Sequence, residues 1–356
     1  MRKAAGPQNA NDRKRAATSE PGDAIDSDTL SRFRRDLEAI TTRPPDALSP
    51  LGIAVSGGGD SLGLLLLAAA AYPGHVTAVT VDHRLRAEAA DEAQKVADIC
   101  ASIRVPHDIV RLPDAPPERG NRQQWAREAR YAALADWAGY GGRRTRHWVA
   151  VAHQQDDVAE GFLMRARRGA GVGGMAMMVA ERALSQRRGS ARLIRPLLGW
   201  RRAELAAIVA EAGLTPVADP GNHDPKYDRS RIRAMIAGSD DLPVPRLAMA
   251  AHNLRDAEIA LEWASEDAWR NRSTIERHEA VSLDMQDLPH EMRRRLALRA
   301  IVYLRREAGL DEAWKGTGLE RLVAALETGQ AGTLAGIAVR PGRRWLFRIA
   351  PPRQSH

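Results

Sequence analysis

Between residues 50 and 167, the hydrophobic and polar positions follow two different periods in turn. Short apolar runs of strand length lie at 51–55, 75–81, 107–112 and 147–152. Longer segments with helical spacing follow them at 62–72, 87–103, 121–138 and 155–167. Apolar strands that alternate with helices are typical of a parallel sheet covered on both faces. The pattern therefore predicts an α/β fold with a doubly wound, Rossmann-like parallel sheet.

The pattern is different at the two ends of the chain. Residues 1–28 carry five basic and five acidic side chains and almost no aliphatic ones, which predicts a disordered tail. The segment 241–245 (DLPVP) indicates a linker, and a Pro-Gly turn within 336–350 predicts a β-hairpin. We therefore predict a catalytic domain over 29–240 and a smaller, mainly helical domain over 246–356 that ends in this hairpin.

A glycine-rich segment follows the first apolar strand directly, and a helix is predicted to begin within it. Its residues are Ser56, Gly57, Gly58, Gly59, Asp60 and Ser61. Glycines allow the backbone to approach an anion closely, and the free amides of a helix start favour phosphate. The two serines can add hydroxyl donors, and an aspartate suits Mg²⁺. The segment lacks the lysine of GxxxxGK[ST] and does not match GxGxxG. Residues 82–86 and 153–157 also follow strands, so we expect them to lie beside this loop.

Charge and composition indicate a polyanionic partner. Lysine and arginine number 53 against 45 aspartate and glutamate residues, a formal net charge of +8. Ten arginines and a single acid, Glu181, lie between residues 165 and 202, a density that suits contact with a nucleic-acid backbone. A second basic cluster lies over 293–306. Solubility alone is the alternative explanation for either cluster.

Cysteine content and hydropathy exclude several classes of protein. The single cysteine, Cys100, excludes a disulfide framework and a CxxC zinc site. No run of about 18 apolar residues is present, and the first residues lack the apolar core of a secretory signal. We expect a soluble, cytoplasmic protein with no membrane partner. The sequence does not fix the oligomeric state, and a homodimer stays open.

The glycine-rich segment SGGGDS resembles the SGGxDS loop of the N-type ATP pyrophosphatase (PP-loop) family, which cleaves ATP to AMP and pyrophosphate. Further segments resemble the tRNA(Ile)-lysidine synthetases within that family: VDHRLRAEAADEA (81–93), NRQQWAREARYAAL (121–134), AHQQDDVAEGFLMRARRGAG (152–171), RPLL (195–198) and DPGNHDPKYDRSRIR (219–233). The resemblance implies that ATP adenylates the C2 oxygen of the wobble cytidine in tRNA(Ile) with a CAU anticodon. Free L-lysine then displaces AMP to give lysidine.

The resemblance also implies roles for individual residues. Asp60, His153 and Asp157 would be catalytic, with Asp60 and Asp157 as ligands of Mg²⁺ and His153 in contact with the cytosine. ATP would bind to residues 56–61 together with Arg127 and Arg130, whose guanidinium groups suit phosphate geometry. An acidic first helical turn, a structural histidine and a solvated basic helix face are the respective alternatives. The family pattern AHHxDDQxET is changed at Gln154 and Gly161, which replace a histidine and a threonine.

Several more positions match the motifs of the family. The glycine-rich segment 169–174 is expected to be a loop that closes over the site or a plain linker. Asp219 to Asn222 and four arginines are expected to bind tRNA phosphate or to shape the lysine and ATP pockets: Arg195, Arg229, Arg231 and Arg233.

Three alternative functions share some of these sequence features. A tRNA thiolase of the same family would need a cysteine pair or an iron–sulfur site, which Cys100 alone cannot supply. An NAD or asparagine synthetase would leave the arginine-rich segment unexplained. A non-catalytic nucleotide- and RNA-binding protein is the third alternative, although Asp60, His153 and Asp157 are all present.

Overall fold

The computed structural model describes residues 25–82, 89–112, 122–139, 146–176, 178–185, 189–217, 228–310, 314 and 316–351. The chain divides into two compact units, with the boundary between His252 and Asn253. This boundary falls inside a helix and not at the predicted linker 241–245. The reason is that Val244 already begins the helix, and Pro245 lies in its first turn, where a missing N–H costs no hydrogen bond.

The first unit has the predicted α/β architecture. Its helices are α1 (Ser27–Thr41), α2 (Gly59–Ala71), α3 (Ala89–Ser102), α4 (Arg122–Ala138), α5 (Gln155–Ala166), α6 (Val172–Met175), α7 (Arg202–Glu211), α8 (Asp228–Ala237) and the beginning of α9 (Val244–Arg272). Its strands are β1 (Leu51–Ala54), β2 (Val76–Asp82), β3 (His107–Arg111), β4 (Trp148–Ala150), β5 (Glu181–Ala183) and β6 (Arg192–Ile194). The predicted doubly wound sheet is confirmed.

The segment predicted as a tail ends in a helix. Asp26 accepts hydrogen bonds from the N–H groups of Asp28 and Thr29 and so caps α1, which begins at Ser27. Phe33 and Leu37 of this helix are fully buried. The remainder of the predicted tail, residues 1–24, lies outside the described residues.

The six strands of the first unit form one sheet in the order β3-β2-β1-β4-β6-β5. All neighbours are parallel except β5, which pairs antiparallel with β6. The chain leaves β1 in one direction to reach β2 and β3, and it returns to the other side of β1 with β4. Ligands of such sheets bind at this switch point, outside the carboxyl ends of the strands.

Apolar side chains cover both faces of this sheet. Helix α2 is apolar all round its surface because it packs on the sheet and against both α1 and α7. On the opposite face, Tyr131 and Leu134 of α4 pack with Val149 of β4 and Leu193 of β6. These contacts fix the strand ends on which the site is built.

The second unit is richer in strands than predicted. After the rest of α9 it contains β7 (Ser273–Glu276), β8 (Ala280–Asp284), α10 (His290–Glu307), α11 (Leu319–Glu327), β9 (Gly332–Leu334), β10 (Ile337–Arg340) and β11 (Arg344–Ile349). The predicted hairpin is present as β10 and β11, but it belongs to a five-stranded antiparallel sheet in the order β7-β8-β11-β10-β9. Alternate residues of β8 and β11 pack against α10 and close a separate core.

Two features of composition are visible in the structure. No helix within the described ranges is long and apolar enough to cross a membrane. Cys100 is buried, and this burial raises the pKa of its thiol to about 12. The cysteine is therefore an inert core residue at neutral pH.

Candidate active site

The glycine-rich loop between β1 and α2 has a shape that only glycine permits at its second position. Gly57 has a φ of +83°, in the left-handed region that other residues avoid. A Cβ atom on Gly57 would lie 2.9 Å from a methyl carbon of Val217. The N–H of Val217 also donates to the carbonyl oxygen of Gly57 at 2.9 Å. Val217 therefore stabilises the shape of the loop through a side-chain contact and a backbone hydrogen bond.

The start of α2 presents free backbone amides. Gly58 is the N-cap, and no side chain caps the helix. The first amides of a helix have no partner within it, and the helix dipole makes this end positive. The buried hydroxyl of Ser61 accepts from the N–H of Ser56 at 3.2 Å and donates to the carbonyl oxygen of Gly58 at 2.8 Å. Ser61 thus braces the loop from within, whereas Ser56 is exposed. The result is a preformed anion site.

Asp60 lies in the first turn of α2 and is held loosely. Its Oδ2 atom is 3.4 Å from Nε2 of Gln154 and 3.7 Å from Nε of Arg202, and 32% of its side chain remains exposed. Burial raises the pKa of Asp60, and the charge of Arg202 opposes this effect. The long contacts leave lone pairs of the carboxylate available to another cation.

Gln154 explains one departure from the family pattern. Its side chain is fully buried, and its Oε1 accepts from the N–H of Asp156 at the start of α5. The backbone N–H of Gln154 donates to Oδ2 of Asp157 at 3.1 Å, which completes a capping box. Gln154 therefore starts α5 and contacts Asp60 in the loop. A side-chain amide suits both contacts, because its oxygen accepts and its nitrogen donates.

Asp157 and Glu160 lie one helical turn apart on α5 and share three arginines. Arg229 places Nη2 at 2.7 Å from Asp157 and Nε at 2.7 Å from Glu160. Arg202 lies 3.4 Å from Asp157 and 3.0 Å from Glu160, and Nε of Arg233 lies 2.8 Å from Glu160. Helices α5, α7 and α8 are thereby joined beneath the loop. Two of the arginines expected from the distal motif, Arg229 and Arg233, belong to this network.

The arginines of this network neutralise the buried negative charge of Glu160. Only 1% of the Glu160 side chain is exposed. Burial alone would raise its pKa, but hydrogen bonds from Arg233 and Arg229 outweigh burial and lower the pKa of Glu160 to about 2. For Asp157, burial outweighs the charge of Arg229, and the pKa is raised. Glu160 is therefore ionised at neutral pH and supplies a fixed negative charge to the network.

The adjacent acids Asp156 and Asp157 have different positions. Oδ2 of Asp156 accepts from the backbone N–H of Arg202 at 3.0 Å and lies 3.3 Å from Nε of Arg201. It therefore stabilises the start of α7, where a negative charge is favourable. Asp157 alone of the two faces the network.

His153 follows β4 and is oriented by Arg195, which follows the neighbouring strand β6. Nε of Arg195 donates to Nδ1 of His153 at 3.3 Å, and Nη1 of Arg195 donates to the carbonyl oxygen of Val179. Burial, followed by the charges of Arg195 and Arg229, lowers the pKa of His153 to about 3. Since guanidinium can only donate, the neutral imidazole carries its proton on Nε2. His153 can therefore donate a hydrogen bond through Nε2.

The two arginines of α4 reach the same region. The charges of Arg130 and Arg127 contribute to the low pKa of His153, so the structure brings them near the strand ends. Their guanidinium carbons lie 5.4 and 5.1 Å from the ring centroid of Tyr131. The side chain of Arg127 is exposed, and that of Arg130 is partly buried.

Asp60 and Asp157 differ as ligands for Mg²⁺. Asp60 has available oxygens beside the anion site, as magnesium shared with phosphate requires. Both oxygens of Asp157 are engaged, Oδ2 by the N–H of Gln154 and Oδ1 by Arg229. Within the described residues, no three His, Cys, Asp or Glu side chains are grouped to hold a metal. The donor set fits an ion held by Asp60 and phosphate, and Asp157 would first have to leave Arg229.

The ten arginines of 165–202 do not form one surface. Arg195, Arg201 and Arg202 are engaged in the site, and Arg192 pairs with Glu181 at 2.8 Å. Arg165 in the last turn of α5 and Arg167 and Arg168 directly after this helix are exposed. The interpretation of the segment as a nucleic-acid surface therefore applies to only part of it. Arg187 and Arg188 lie outside the described residues, as do His83, Arg84 and the segment 219–222.

The sequence did not single out two residues of the site, Glu160 and Arg202. Glu160 stands three residues after Asp157, so the two share a helix face. That spacing was a usable signal. Arg202 was included in the basic segment, but nothing local distinguishes it from its neighbours. Its contact with three acids depends on the packing of α7 against α2.

Comparisons with known proteins agree with this architecture. A family model described as the PP-loop domain matches residues 29–239. The chain is 40% identical to the tRNA(Ile)-lysidine synthase of Zymomonas mobilis over 91% of this chain and 95% of that protein. It is also 40% identical to the tRNA(Ile)-lysidine synthase of Novosphingobium aromaticivorans over 94% of this chain and 98% of that protein.

A solved structure shows the same fold at low identity. The U34-tRNA thiolase NcsA from Methanococcus maripaludis, with its [4Fe-4S] cluster, superposes with a TM-score of 0.53. The match covers 64% of this chain and 79% of that chain at 16% sequence identity. At this identity the similarity supports the fold alone.

Proposed function

The chain belongs to the tRNA(Ile)-lysidine synthase family of PP-loop enzymes, and from this we infer how its site works. It is a ligase that uses ATP to form lysidine at the wobble position of tRNA(Ile). We propose that the reacting base is the cytidine of a CAU anticodon and that free L-lysine is the second substrate. The use of tRNA, lysine and ATP also supports action in the cytoplasm.

In the first step, the C2 oxygen of the cytidine attacks the α-phosphorus of ATP, and pyrophosphate leaves. We propose that the pyrophosphate end of ATP lies against the amides of residues 57–61 and the hydroxyl of Ser56. Asp60 would hold Mg²⁺, which neutralises phosphate charge when bound. Arg127 and Arg130 complete the charge clamp with guanidinium groups that can bind phosphate oxygens in pairs.

His153 orients the cytosine. Its Nε2–H donates to the C2 oxygen, because Nδ1 is occupied by Arg195. The same donor stabilises this oxygen in the second step, when the lysine amine attacks C2, the bond between C2 and oxygen breaks, and AMP leaves with the oxygen. With a pKa of about 3, His153 does not act as a general base at neutral pH.

The glycine-rich segment after α5 is proposed to keep water away from the adenylate. Gly169 has a φ of +67°, and residues 172–175 form the short helix α6. Nη1 of Arg165 donates to the carbonyl oxygen of Gly174 at 2.8 Å. A loop that closes over a reactive phosphate ester protects it from hydrolysis.

The observation that carries the proposal is the 40% identity over nearly the whole chain. In support, the family's loop and His153 follow the adjacent strands β1 and β4, and Asp157 lies in the first turn of α5. The test is incorporation of radiolabelled lysine into tRNA(Ile) transcripts. Label is expected with a CAU anticodon, ATP and magnesium, and not with a UAU anticodon. Incorporation into both transcripts would contradict the assignment of C2 as the acceptor. Nucleotide and tRNA binding without incorporation would favour the non-catalytic alternative.

A further inference from the structure

Tyr131 of α4 has a buried hydroxyl with no assigned use. The residue is 8% exposed, and in the described part of the chain its hydroxyl oxygen makes no directed hydrogen bond. A buried polar group without a partner is costly, and such groups in native structures call for an explanation. Here the surrounding side chains supply one.

Cations surround this hydroxyl. The guanidinium carbon of Arg182, on edge strand β5, lies 4.2 Å from the ring centroid of Tyr131. Arg127 and Arg130 lie at 5.1 and 5.4 Å from the same centroid. Burial raises the pKa of Tyr131, but the nearby arginines outweigh this and leave the pKa lowered. Arg195 adds a fourth guanidinium that is only 5% exposed.

The cluster lacks a balancing negative charge. In the parts of the chain that the structure describes, none of the four arginines forms an ion pair with a carboxylate. The contacts of Arg182 and Arg195 are all with neutral groups, namely backbone carbonyl oxygens, His153 and the side chain of Tyr131. Grouped cations repel one another, and burial adds to the cost of leaving them uncompensated, so the binding of an anion among them is favoured. This contrasts with Arg202, Arg229 and Arg233, whose charges are matched by acids.

We propose that Tyr131, Arg182 and Arg195 bind a phosphate group and that this group is the RNA phosphodiester next to the reacting cytidine. The proposal rests on the function proposed above. The phenol donates a hydrogen bond to one phosphate oxygen, and the guanidinium groups bind the others. Tyr131 and Arg182 are then positioning residues, which fix the nucleotide backbone while His153 orients its base.

The topology favours RNA over ATP as the source of the phosphate. ATP is anchored at the end of β1, whereas β5 lies three strands away in the order β1-β4-β6-β5. Arg182 on β5 is therefore about 14 Å from β1, three strand spacings away, and Tyr131 packs over β4 and β6 between them. His153 and Arg195 follow β4 and β6, between these two positions. A cytidine at His153 therefore has ATP on one side and the Tyr131 cluster on the other. Single-stranded loops of RNA expose their phosphates for such contacts.

The test compares two affinities in Tyr131→Phe and Arg182→Gln variants. The dissociation constant for a tRNA(Ile) transcript with a CAU anticodon is measured without ATP, and that for ATP without tRNA. We expect Tyr131→Phe to weaken tRNA binding about threefold to tenfold, the effect of one hydrogen bond. Arg182→Gln should weaken it about tenfold or more and reduce the salt slope by about 0.7. ATP binding should be unchanged in both variants.

Controls separate this site from folding and from the proposed function. Arg35→Gln, on the exposed face of α1, should leave both affinities unchanged. Thermal unfolding of Tyr131→Phe should be no earlier than in the wild type, since only an unpaired hydroxyl is lost. Weaker ATP binding with normal tRNA binding would overturn the RNA assignment, and two unchanged affinities would overturn the site. Lysine incorporation by the wild type, measured in parallel, tests the proposed function independently.

Discussion

Nε of Arg195 lies 3.3 Å from Nδ1 of His153, and this contact joins the ends of two neighbouring strands. The two residues belong to separate sequence segments, 152–171 and 195–198. Each segment follows a parallel strand, so the sheet brings them together at its carboxyl edge. The arginine fixes which ring nitrogen carries the proton, whereas burial, with the charge of Arg195, keeps the imidazole neutral. The hydrogen bond thus leaves Nε2–H as the donor of the ring.

The low pKa of His153 predicts a particular dependence of stability on pH. The unfolded chain takes up a proton near pH 6.5, whereas the folded protein does so only near pH 3. The contribution of His153 is therefore fully present above pH 6.5 and is lost as the pH falls towards 3. We expect the wild type to lose about 2 kcal/mol more than His153→Gln between pH 7 and pH 5. Urea unfolding at the two pH values measures this, and equal losses would contradict it.

The shape of the loop predicts that Gly57→Ala abolishes ATP binding. Alanine at a φ of +83° is strained by about 1–2 kcal/mol, and its Cβ would also press on Val217 and Val96. Gly74→Ala is a matched control, because Gly74 has a φ of +76° and no neighbour within 4 Å of the added atom. Isothermal titration with magnesium–ATP should show loss of binding only in the first variant. Equal ATP affinity in both variants would show that the loop tolerates the contact.

Asp60 and Asp157 are predicted to respond differently to the same substitution. Asp60→Asn removes a loosely held charge, so pyrophosphate release should fall at least a hundredfold with little change in the free energy of unfolding. Asp157→Asn takes the partner from Arg229 and should destabilise the fold clearly. Pyrophosphate release and urea unfolding are measured on both proteins. Near-normal release by Asp60→Asn would remove its proposed role in binding the metal.

The sequence was most informative where the structure is local. The period of the strands, the glycine run after β1 and the position of His153 after β4 depend on neighbouring residues, and all three were predicted. The rule for carboxyl ends of strands then placed the loop and His153 side by side. The hairpin of β10 and β11 was also predictable, since its Pro-Gly turn is a local signal.

The remaining features depend on distant parts of the chain. Strands β7 and β9 have four and three residues, and β7 follows Arg272 of α9 with no turn residue between them. Their pairing is fixed by β8 and β10, which no local pattern reveals. Similarly, Arg202 and Arg195 belong to one basic segment. Packing places Arg202 among acidic side chains and Arg195 among other arginines. Composition cannot distinguish these two environments.

The contacts of Glu160 with three arginines predict that this residue contributes more to the free energy of unfolding than an exposed acid does. Glu160→Gln keeps the size of the side chain but leaves Arg202, Arg229 and Arg233 without their buried counter-ion. Breaking such a buried pair typically costs about 3–5 kcal/mol. Glu211→Gln, at the exposed end of α7, is the control and should cost less than about 0.5 kcal/mol.

Because the pKa of Glu160 is about 2, its contribution is fully present above pH 4.5 and is lost only as the pH falls towards 2. Urea unfolding at pH 7 and pH 5 should therefore give the same difference between wild type and Glu160→Gln. A difference below 1 kcal/mol at both pH values would mean that the arginines find other partners and that the network does not depend on this carboxylate.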